Sequence, residues 1–500
     1  MSGEPREIEL KFALPAAAAE TIAALPMLAG AHDRVLVSTY FDTPRRSLRR
    51  AHMVLRVREE DSGFVQTVKT AGDGALVRGE WETKVTRARP ILGKLAKTPA
   101  AALLKGAKLV PQFTVEVRRR SADVWEGETR VELSLDVGEV RAGPKRAAFA
   151  ELELELKEGP IGGLLALARR IAGAGDLTLS FTTKAERGFA LISPLGRQAP
   201  RFQPPPLNAR MTAGQAFQAI ARATLRQIGG NAERLRRRAG PEVIHQLRVG
   251  LRRLRSLDAT FKSVVADARL PALKAELEWL TGELEAARNL DVLLHGDYRA
   301  ALLQKENAEG LKGLGARLRG ARRIAYARAG AAVESERFRR LLLDFLIWVE
   351  AGPWTTSPAN RKARERPVVK FARRALDRRR RTIVRKGRAI AQLDPHARHK
   401  LRIHAKKMRY AADAFAGLFE RPRRARAFLA ALKGVQDTLG ELNDIFVGGS
   451  LVHDVAAAAG WAEAAFAAGR ITGTQKARTG RLLEKAQGCV DAFGDAKPFW

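Results

Sequence analysis

The sequence contains little cysteine, few aromatic residues and no long apolar run, and each shortage excludes a class of protein. Cys489 is the single cysteine among 500 residues, so the chain forms no internal disulfide and no cysteine-ligated zinc site. Aromatic residues make up 6% of the chain, which disfavours the stacking platforms of single-stranded nucleic-acid binders. Because no apolar run approaches about 18 residues and the first ten residues lack an export pattern, we expect no membrane-spanning or export segment.

Acidic residues are scarce relative to basic ones. The chain has 89 Lys and Arg against 54 Asp and Glu, a formal net charge of +35, while 46% of its residues are hydrophobic. That apolar share predicts a folded protein that binds polyanions rather than a disordered basic tail. Prolines between Pro194 and Pro206 indicate a linker, and the net charge is +6 over residues 1–200 and +29 over residues 201–500.

The first part of the chain alternates polar and apolar residues with the period of β-strands. Charges of both signs occupy the polar positions, as in Glu7, Glu9 and Lys11. A wet face of an antiparallel sheet is the simpler interpretation of any one strand. The density of charge over eight strands favours a closed barrel with a charged interior and an apolar outside. The predicted strands are 7–12, 35–41, 53–59, 64–69, 80–85, 113–120, 130–137 and 149–157, with flanking helices near 15–25 and 161–174.

Carboxylates recur in pairs on two of these strands. Glu7 and Glu9 lie two residues apart, so both point to one face, about 7 Å apart along the strand. Glu151, Glu153 and Glu155 repeat that spacing. Carboxylate clusters without histidine or cysteine select hard divalent cations such as Mg²⁺ or Mn²⁺, and lysine and arginine bind phosphate oxygens. A cavity lined by a metal-binding carboxylate cluster and by lysine and arginine predicts a highly charged phosphate chain as its ligand.

Seven motifs of this region together resemble the CYTH domain of triphosphate tunnel metalloenzymes, over roughly residues 5–195. They are Glu7-Ile8-Glu9-Leu10-Lys11, Tyr40-Phe41-Asp42-Thr43, Leu55-Arg56-Val57-Arg58, Gln66-Thr67-Val68-Lys69, Arg78-Gly79-Glu80-Trp81-Glu82, Glu151-Leu152-Glu153-Leu154-Glu155 and Lys184-Ala185-Glu186-Arg187-Gly188. The resemblance implies an eight-stranded tunnel that hydrolyses a triphosphate with Mg²⁺ or Mn²⁺. For this chain it predicts an inorganic triphosphatase.

The resemblance also implies roles for individual residues. The metal ligands it implies are Glu7, Glu9, Glu151 and Glu153, with Glu155 as a further candidate whose register is open. The predicted catalytic residues are Glu7, Glu9, Lys11, Arg56, Arg58 and Lys69. The predicted substrate-binding residues are Arg118, Lys184 and Arg187, although three consecutive arginines at 118–120 leave open which one faces inward. The role of four more acidic residues, as ligands or as structural groups, is open: Glu80, Glu82, Glu132 and Asp136.

From Ala213 onward the pattern is helical and contains an internal repeat. The segment 245–255 aligns with 399–409, and its histidine and every cation recur 154 residues later. At about 100° per residue, positions 0, 3, 7 and 10 of each segment share one helix face. The resulting basic stripes are His245, Arg248, Arg252 and Arg255, with Arg253 at the margin, and His399, Arg402, Lys406 and Arg409, with Lys407 at the margin.

A solvated basic face is the plain interpretation of one such stripe, but its recurrence in both halves favours an anion-binding role. The first repeat offers no second ligand beside its histidine, so a metal-binding role is not favoured. The repeat resembles the CHAD domain, a helical domain associated with inorganic polyphosphate, over about residues 210–495, including Arg288, Asp291, Tyr410, Gln436, Gly440 and Asp444. The resemblance implies that the ten stripe and margin residues bind polyphosphate. Clusters at 236–238, 378–381 and 421–426 either extend that groove or lie at its periphery.

The sequence therefore predicts an α+β protein of two domains. The bounds are 1–195 for the tunnel, 196–209 for a proline-rich linker and 210–497 for an all-α domain of two pseudo-symmetric antiparallel bundles, with the repeat at about 210–350 and 365–497. The expected partners are inorganic triphosphate and polyphosphate, with no specific nucleic acid and no membrane, and the oligomeric state is open. We expect a cytoplasmic location, with polyphosphate granules as a further site.

Two alternative functions remain open from the sequence. One is a polyphosphate-binding protein whose tunnel holds a chain end without turnover. The other is a tunnel enzyme that acts on a nucleotide or on thiamine triphosphate.

Overall fold

The structure is a computed structural model of the 500-residue chain, and it describes residues 6–60, 63–70, 76–193, 198–303, 308–457 and 462–500. Contacts divide the chain into two compact units. The first comprises the residues up to Phe202 together with Leu225–Glu233 and Arg339–Gly352; the second comprises Gln203–Thr224, Arg234–Phe338 and Pro353–Trp500. The predicted domain bounds stay a prediction, and residues 194–197, where the predicted linker begins, lie outside the described residues.

The first unit is built on an antiparallel sheet that has nine strands among the described residues. The strands are β1 Arg6–Ala13, β2 His32–Asp42, β3 Met53–Glu60, β4 Gly63–Thr70, β5 Val77–Val85, β6 Val110–Glu126, β7 Thr129–Ala142, β8 Lys145–Glu158 and β9 Thr178–Leu179. Their order is β5-β4-β3-β2-β6-β7-β8-β1-β9. Strand β1 also pairs with β5 over three residue pairs, from Arg6 with Gly79 to Ile8 with Val77.

All eight predicted strands are present, because period-2 alternation reports a half-buried strand directly. The predicted number of strands, eight, was wrong by one. Strand β9, Thr178–Leu179, has two residues and therefore shows no alternation in the sequence. Closure of the sheet into a barrel stays a prediction.

The apolar face of the sheet forms a core of the first unit. Leu133 and Leu154 pair directly across β7 and β8 and are fully buried. The helix α4, Ile161–Ala172, contacts both strands and buries Leu164 and Ile171. The predicted helix near 161–174 is confirmed, since its apolar residues recur at helical spacing.

Further helices of this unit are short. The prediction of a helix near 15–25 is confirmed as the 3-10 turn Ala16–Ala18 followed by α1, Ala19–Ala23. Two more α-helices, α2 Ser47–Arg50 and α3 Ala101–Leu104, bring Leu48 and Leu104 into a second apolar cluster with β2–β5. The last helix, α5, begins at Lys184 and ends at Ile192.

The other helices come from the second part of the chain, and most of them are long. They are α6 Ala213–Arg237, α7 Pro241–Val265, α8 Leu270–Glu283, α9 Glu285–His295, α10 Asp297–Leu303, α11 Ala308–Glu334, α12 Glu336–Ala351, α13 Arg361–Arg364, α14 Val368–Gly387, α15 Pro395–Phe415, α16 Pro422–Ala457 and α17 Ala462–Asp495. Short 3-10 turns are Pro26–Leu28, Leu92–Leu95, Pro353–Thr355, Pro358–Asn360, Ile390–Gln392 and Ala416–Leu418.

Helix starts in the second part follow the sequence repeat. Starts at 213, 241 and 270 are matched by starts at 368, 395 and 422, so the members of each pair lie 152 to 155 residues apart. The helical region is confirmed, and the pseudo-symmetry of two bundles stays a prediction.

Aromatic rings from both halves of the repeat fill one core in the second unit. The ring of Phe261 on α7 stacks at 4.6 Å on Phe371 of α14. Its centroid lies 5.4 Å from Phe217 of α6 and 6.0 Å from Phe415 of α15. This core fixes α7 against α15, the two helices that carry the basic stripes.

Asp42, at the end of β2, anchors the turn that leads into α2. Its buried carboxylate accepts hydrogen bonds from the amides of Thr43 at 2.7 Å and of Leu48 and Arg49 at 3.0 Å each. Hydrogen bonds to a charged group contribute about 1.5–3 kcal/mol each. Because contributions within one network are not additive, we expect Asp42→Ala to lower local stability by at least about 3 kcal/mol and to speed amide exchange in this turn. Hydrogen exchange by mass spectrometry measures this, and unchanged protection at 43–49 would contradict it.

Candidate active site and basic cluster

Strand register gathers the charged side chains of the sheet on one side. Lys11 of β1 lies opposite Glu153 of β8, and Asp136 of β7 lies opposite Glu151 of β8. Directly opposite residues share a face, and residues two apart on one strand do so too. We call this surface the charged face; it carries Glu9, Lys11, Arg56, Arg58, Lys69, Glu80, Glu82, Arg119, Glu132, Ser134, Asp136, Glu151, Glu153 and Glu155.

Three carboxylates of the charged face meet in a buried acidic cluster. One oxygen each of Asp136, Glu151 and Glu153 lies within 4.8 Å of the other two. Asp136 and Glu151 are fully buried and Glu153 is 8% exposed. Carboxylates alone, without histidine or cysteine, make a donor set that fits a hard divalent cation. Asp136, left open from the sequence, belongs to this cluster.

Lys184 forms ion pairs with all three members of the cluster. Its Nζ lies 2.7 Å from Asp136, 2.6 Å from Glu151 and 2.9 Å from Glu153. Lys184 is the first residue of α5, whose start is fixed by the capping box of Thr183 and Glu186. Burial acts to lower the pKa of Lys184, but the three carboxylates outweigh it and raise the pKa well above its ordinary value.

Two further cations converge on Glu153. Lys11 Nζ lies 2.6 Å from one carboxylate oxygen and Arg119 Nη2 lies 2.6 Å from the other. Burial acts to raise the pKa of Glu153, yet Lys11, Lys184 and Arg119 together hold that pKa well below its usual range. Glu153 is therefore charged throughout the neutral range, as a metal ligand or phosphate-site carboxylate must be.

A second group of charges lies on β3, β4 and β5. Lys69 Nζ lies 2.7 Å from Glu7 and 3.1 Å from Glu80. Arg56 lies 3.7 Å from both Glu80 and Glu82. Arg58 binds Glu60 and lies 3.9 Å from Glu82. The predicted ligand Glu7 is thus paired with Lys69, away from the acidic cluster of the described residues.

The remaining predicted ligands also have cationic neighbours. Glu9 is buried, and its Oε1 lies 3.3 Å from Lys11. Glu155 lies 2.8 Å from Lys157. Burial raises the pKa of Glu155 and outweighs Lys157, with Glu7 and Glu132 adding to the rise. Of the five predicted ligands, the structure brings Glu151 and Glu153 together; the roles of all five stay predictions.

The arginine run on β6 requires a correction. Arg119, and not the predicted Arg118, lies among the carboxylates, since its two donors bind Asp136 at 2.7 Å each. Arg118 is exposed on the opposite face of the strand, and its neighbour Arg120 pairs with Asp33. The pattern was visible in the sequence. Phe113, Val115 and Val117 lie an even number of positions before Arg119, so all four side chains point to the same side of the strand.

Apolar side chains continue the charged face on β6, β7 and β8. Phe149 lies two residues before Glu151 and therefore points to the same side. It joins a buried cluster in which the rings of Tyr40 and Phe113 stack at 4.7 Å and Phe189 of α5 packs edge-on at 5.1 Å from Phe113. A Cβ at Gly188 would lie 2.2 Å from the Phe113 ring, so glycine permits α5 to approach this closely. We call this cluster the aromatic wall.

Arg187 of α5 lies between the aromatic wall and the acidic cluster. Its Nη2 donates to Glu151 at 3.3 Å, and its guanidinium lies 5.3 Å from the Phe149 ring centroid. Its Nη1 lies 3.7 Å from Glu233, a residue of α6 that belongs to the first unit. Sequence reasoning missed Glu233, because nothing in a helical pattern indicates a partner on another helix 46 residues away in the sequence.

In the second unit, cations from three helices form a basic cluster. It consists of His245, Arg248 and Arg252 of α7, Arg288 of α9, and Arg402 and Lys406 of α15. Arg252 stands at its centre, since its charge lowers the pKa of each of the other five. Arg288 was not among the predicted polyphosphate-binding residues.

The basic cluster contains donors with no hydrogen-bond partner among the described residues. They are the Nε atoms of Arg248, Arg252 and Arg402, all buried; Nδ1 of His245 is also buried without a partner among these residues, and its tautomer decides whether it donates or accepts. Burial, followed by the charges of Arg288 and Arg252, lowers the pKa of His245 to about 4. Like-charged groups with unsatisfied buried donors are costly for a fold, so the arrangement indicates a site for an anion.

Four of the other five predicted stripe and margin residues have partners of their own: Arg253, Arg255, His399 and Arg409. Arg253 is buried, stacks on Tyr410 at 4.7 Å and lies 3.6 Å from Asp413, which also accepts from Arg409 at 2.9 Å. Arg255 lies 2.9 Å from Glu278. His399 Nδ1 lies 2.6 Å from Asn443 Oδ1, and the pKa of Lys407 is lowered by burial and by Arg379. The structure thus brings five of the ten predicted residues together in the basic cluster.

Comparison with known proteins finds a family for each of the two parts of the chain. A CYTH domain model matches residues 5–189, and a CHAD domain model matches residues 219–453. The chain carries a CYTH domain followed by a CHAD domain. The sequence resemblance to these two families is confirmed, and the acidic cluster lies in the CYTH match while the basic cluster lies in the CHAD match.

Two relatives are informative. The inorganic triphosphatase of Haemophilus influenzae is 30% identical over 170 residues, which are 32% of this chain and 46% of that protein. The alignment therefore spans less than half of the relative. The crystal structure of the CHAD domain from the plant Ricinus communis is 30% identical, with a TM-score of 0.51, and covers 58% of this chain and 96% of that chain. None of the helices in the described residues has the length and apolar character needed to cross a membrane.

Lys406 provides a test of the basic cluster. Burial, followed by the charges of Arg252 and Arg402, lowers its pKa from 10.5 to about 6. Above that pH the folded chain holds Lys406 as a neutral, nucleophilic amine; Lys400, on the same helix and exposed, serves as the comparison. At pH 7 to 8 we expect acetic anhydride to acetylate Lys406 faster than Lys400, measured by mass spectrometry. The difference should vanish below about pH 6. Equal acetylation rates of Lys406 and Lys400 at pH 8 would contradict the lowered pKa of Lys406.

Proposed function

We propose that the CYTH domain hydrolyses inorganic triphosphate with a divalent metal and that the CHAD domain binds inorganic polyphosphate. The observation that carries the proposal is the acidic cluster of Asp136, Glu151 and Glu153, with Lys11 and Lys184 within 3 Å of its oxygens. Metal-binding carboxylates and phosphate-binding cations in one buried site suit a compact chain of phosphates. The similarity to the Haemophilus inorganic triphosphatase supports the choice of substrate.

Carboxylates of the charged face would hold the metal. The acidic cluster supplies three, and Glu7 and Glu9 are the further ligands that the resemblance implies. A divalent cation bound there supplies neutralisation of phosphate charge and a more acidic water. All-oxygen ligands favour Mg²⁺ or Mn²⁺.

The cations of the charged face have the complementary role. Lys11, Arg119 and Lys184 now balance the acidic cluster, and their charges lie where the non-bridging oxygens of a bound phosphate would need them. Arg56 and Lys69 lie on β3 and β4 and would bind the next phosphates of the chain. Such binding aligns the phosphoanhydride bond and withdraws charge from it, which is most of what phosphoryl transfer requires of a protein.

The enclosure of the site rests on two features. The pairing of β1 with β5 joins the penultimate strand of the order to the first one and supports a tunnel around the charged face. The aromatic wall of Tyr40, Phe113, Phe149 and Phe189 fills the same face beyond the acidic cluster. A phosphate chain would therefore enter from the side of Arg56 and Lys69 and present its terminal phosphate to the cluster. This geometry favours a short chain or a chain end.

Polyphosphate binding by the CHAD domain follows from the basic cluster. Its buried donors need acceptors that the described residues do not provide, and a linear phosphate polymer supplies oxygens at every unit. The segments between the cations contain Leu, Val, Ile and Met and offer no aromatic surface on which a base would stack. These features favour polyphosphate over a nucleic acid.

Hydrolysis is tested with Glu153→Gln. We expect tripolyphosphate hydrolysis that depends on Mg²⁺ or Mn²⁺ in the parent chain and a fall in kcat/KM of about 100-fold or more in the variant, since even indirect metal-site partners contribute 10–100-fold. The rate of phosphate release measures the metal dependence of the parent chain and the fall in kcat/KM of the variant. The matched control is Glu139→Gln on the same strand pair, a carboxylate bound to Arg141 and outside the acidic cluster. Equal rates for the parent and Glu153→Gln would remove the enzymatic claim, and faster turnover of ATP or thiamine triphosphate would replace the substrate.

Polyphosphate binding is tested with a fourfold alanine variant. Replacing Arg248, Arg252, Arg402 and Lys406 should weaken long-chain polyphosphate binding by at least about 100-fold and flatten its salt dependence, because counterion release scales with the cations engaged. Tripolyphosphate hydrolysis should survive. The control removes the same number of exposed cations from 421–426, namely Arg421, Arg423, Arg424 and Arg426. Calorimetry that finds the two variants equally affected would mean that the basic cluster is not the binding site.

A further inference from the structure

One segment of α6 is built into the first unit. Leu225–Glu233 belongs to it, although the sequence assigns this stretch to the helical domain. The segment packs closely on the loop before α5: a Cβ at Gly229 would lie 2.3 Å from the ring of Phe181. Asn231 donates to the carbonyl of Pro200 at 2.7 Å. These contacts hold the last residue of the segment, Glu233, in a defined place.

Glu233 binds two residues that flank Lys184. The hydroxyl of Thr182 donates to its Oε2 at 2.7 Å, and Nη1 of Arg187 lies 3.7 Å from its Oε1. Only 12% of the Glu233 side chain is exposed. A largely buried carboxylate beside a buried arginine interacts strongly with it, because little water screens the charges.

Arg187 connects Glu233 with the acidic cluster. Its side chain is 6% exposed and lies between two carboxylates, Glu233 on one side and Glu151 on the other. Its guanidinium also lies over the Phe149 ring, and its Nε has no hydrogen-bond partner among the described residues. Three contacts thus fix the plane of the guanidinium and leave one donor unused.

We propose that Glu233 is a positioning residue for the phosphate site of the CYTH domain and acts through Arg187. It holds the Arg187 guanidinium beside Glu151 in the orientation in which the arginine binds a phosphate oxygen. The inference rests on the proposed function, since it assigns Arg187 to the substrate. Its consequence is that residues 225–233, outside the contiguous tunnel sequence, are a part of the tunnel's substrate site.

A positioning role and a purely electrostatic role of Glu233 predict opposite changes in tripolyphosphate binding when its negative charge is removed. Loss of a negative charge near an anion site makes the local potential more positive, which by itself strengthens binding of tripolyphosphate. Loss of the group that orients Arg187 weakens binding instead. The sign of the change in KM therefore separates the two.

The experiment uses Glu233→Gln in the full chain. The amide still accepts the Thr182 hydrogen bond but loses the charge that holds Arg187. We expect KM for tripolyphosphate to rise about fivefold with a smaller change in kcat, the pattern of lost substrate binding. Glu233→Asp, which keeps the charge, should recover part of the loss.

A double-mutant cycle tests whether Glu233 acts through Arg187. In an Arg187→Met background, Glu233→Gln should have no further effect on KM, because residues that act as a unit are not additive. The control is Asp344→Asn, a carboxylate of another helical segment of the same unit whose partner Arg169 lies on α4. That variant should keep the KM of the parent.

Several outcomes would overturn the proposal. They are an unchanged or lower KM in Glu233→Gln, additive effects with Arg187→Met, or an equal rise in Asp344→Asn. Calorimetric titration of tripolyphosphate into the same proteins gives the affinity without turnover. If the parent binds but does not hydrolyse, the proposed enzyme fails while the affinity loss of Glu233→Gln still decides the role of Glu233; a parent that does not bind overturns both.

Discussion

The CYTH domain depends on the compensation of buried charge around Lys184. An uncompensated charge in the interior costs several kcal/mol, and removing one partner of a buried pair typically costs about 3–5 kcal/mol. Here one ammonium group lies within 3 Å of three carboxylates, and Lys11 and Arg119 complete the balance at Glu153. Every element that supplies a member must therefore keep its register: β1, β6, β7, β8 and the start of α5. The same balance that stabilises the sheet presets the charges for a metal and a phosphate chain.

The CHAD domain shows the opposite arrangement. Its basic cluster is only partly countered: Glu285 lies 3.3 Å from Arg248 and Asp444 lies 3.8 Å from Arg402, and the pKa of Lys406 is lowered to about 6 because burial and neighbouring cations disfavour its charged form. The unfolded chain keeps the ordinary lysine pKa, so it binds more protons than the folded chain between about pH 6 and that value, and folded-state stability falls as the pH is lowered through this window. Under the proposed function, a bound anion would offset this cost. The two domains thus use the same residue types with different countercharges.

Much of the fold was predictable because it depends on local periodicity. Alternation located eight strands, and the 154-residue repeat identified α7 and α15 as equivalent helices. Within the site, the resemblance to the CYTH family pointed to Glu151, Glu153, Lys11 and Lys184, and the structure brings these four side chains together. Arg118 was the wrong choice among the three consecutive arginines, since a count of charges cannot show which face of the strand each one occupies. The alternation of apolar residues from Phe113 to Val117 shows it. Strand β9 has too few residues to show any period.

The sequence by itself determined the two families, the helical and strand periods and the separation of acidic and basic residues, since these follow from neighbours along the chain. Only the tertiary structure decided which charges meet. Asp136 joins Glu151 through the register of β7 with β8, and Glu233 meets Arg187 although 46 residues separate them. Buried ion pairs act over a few ångströms of space and not over sequence distance, so their partners become visible only when the chain is folded.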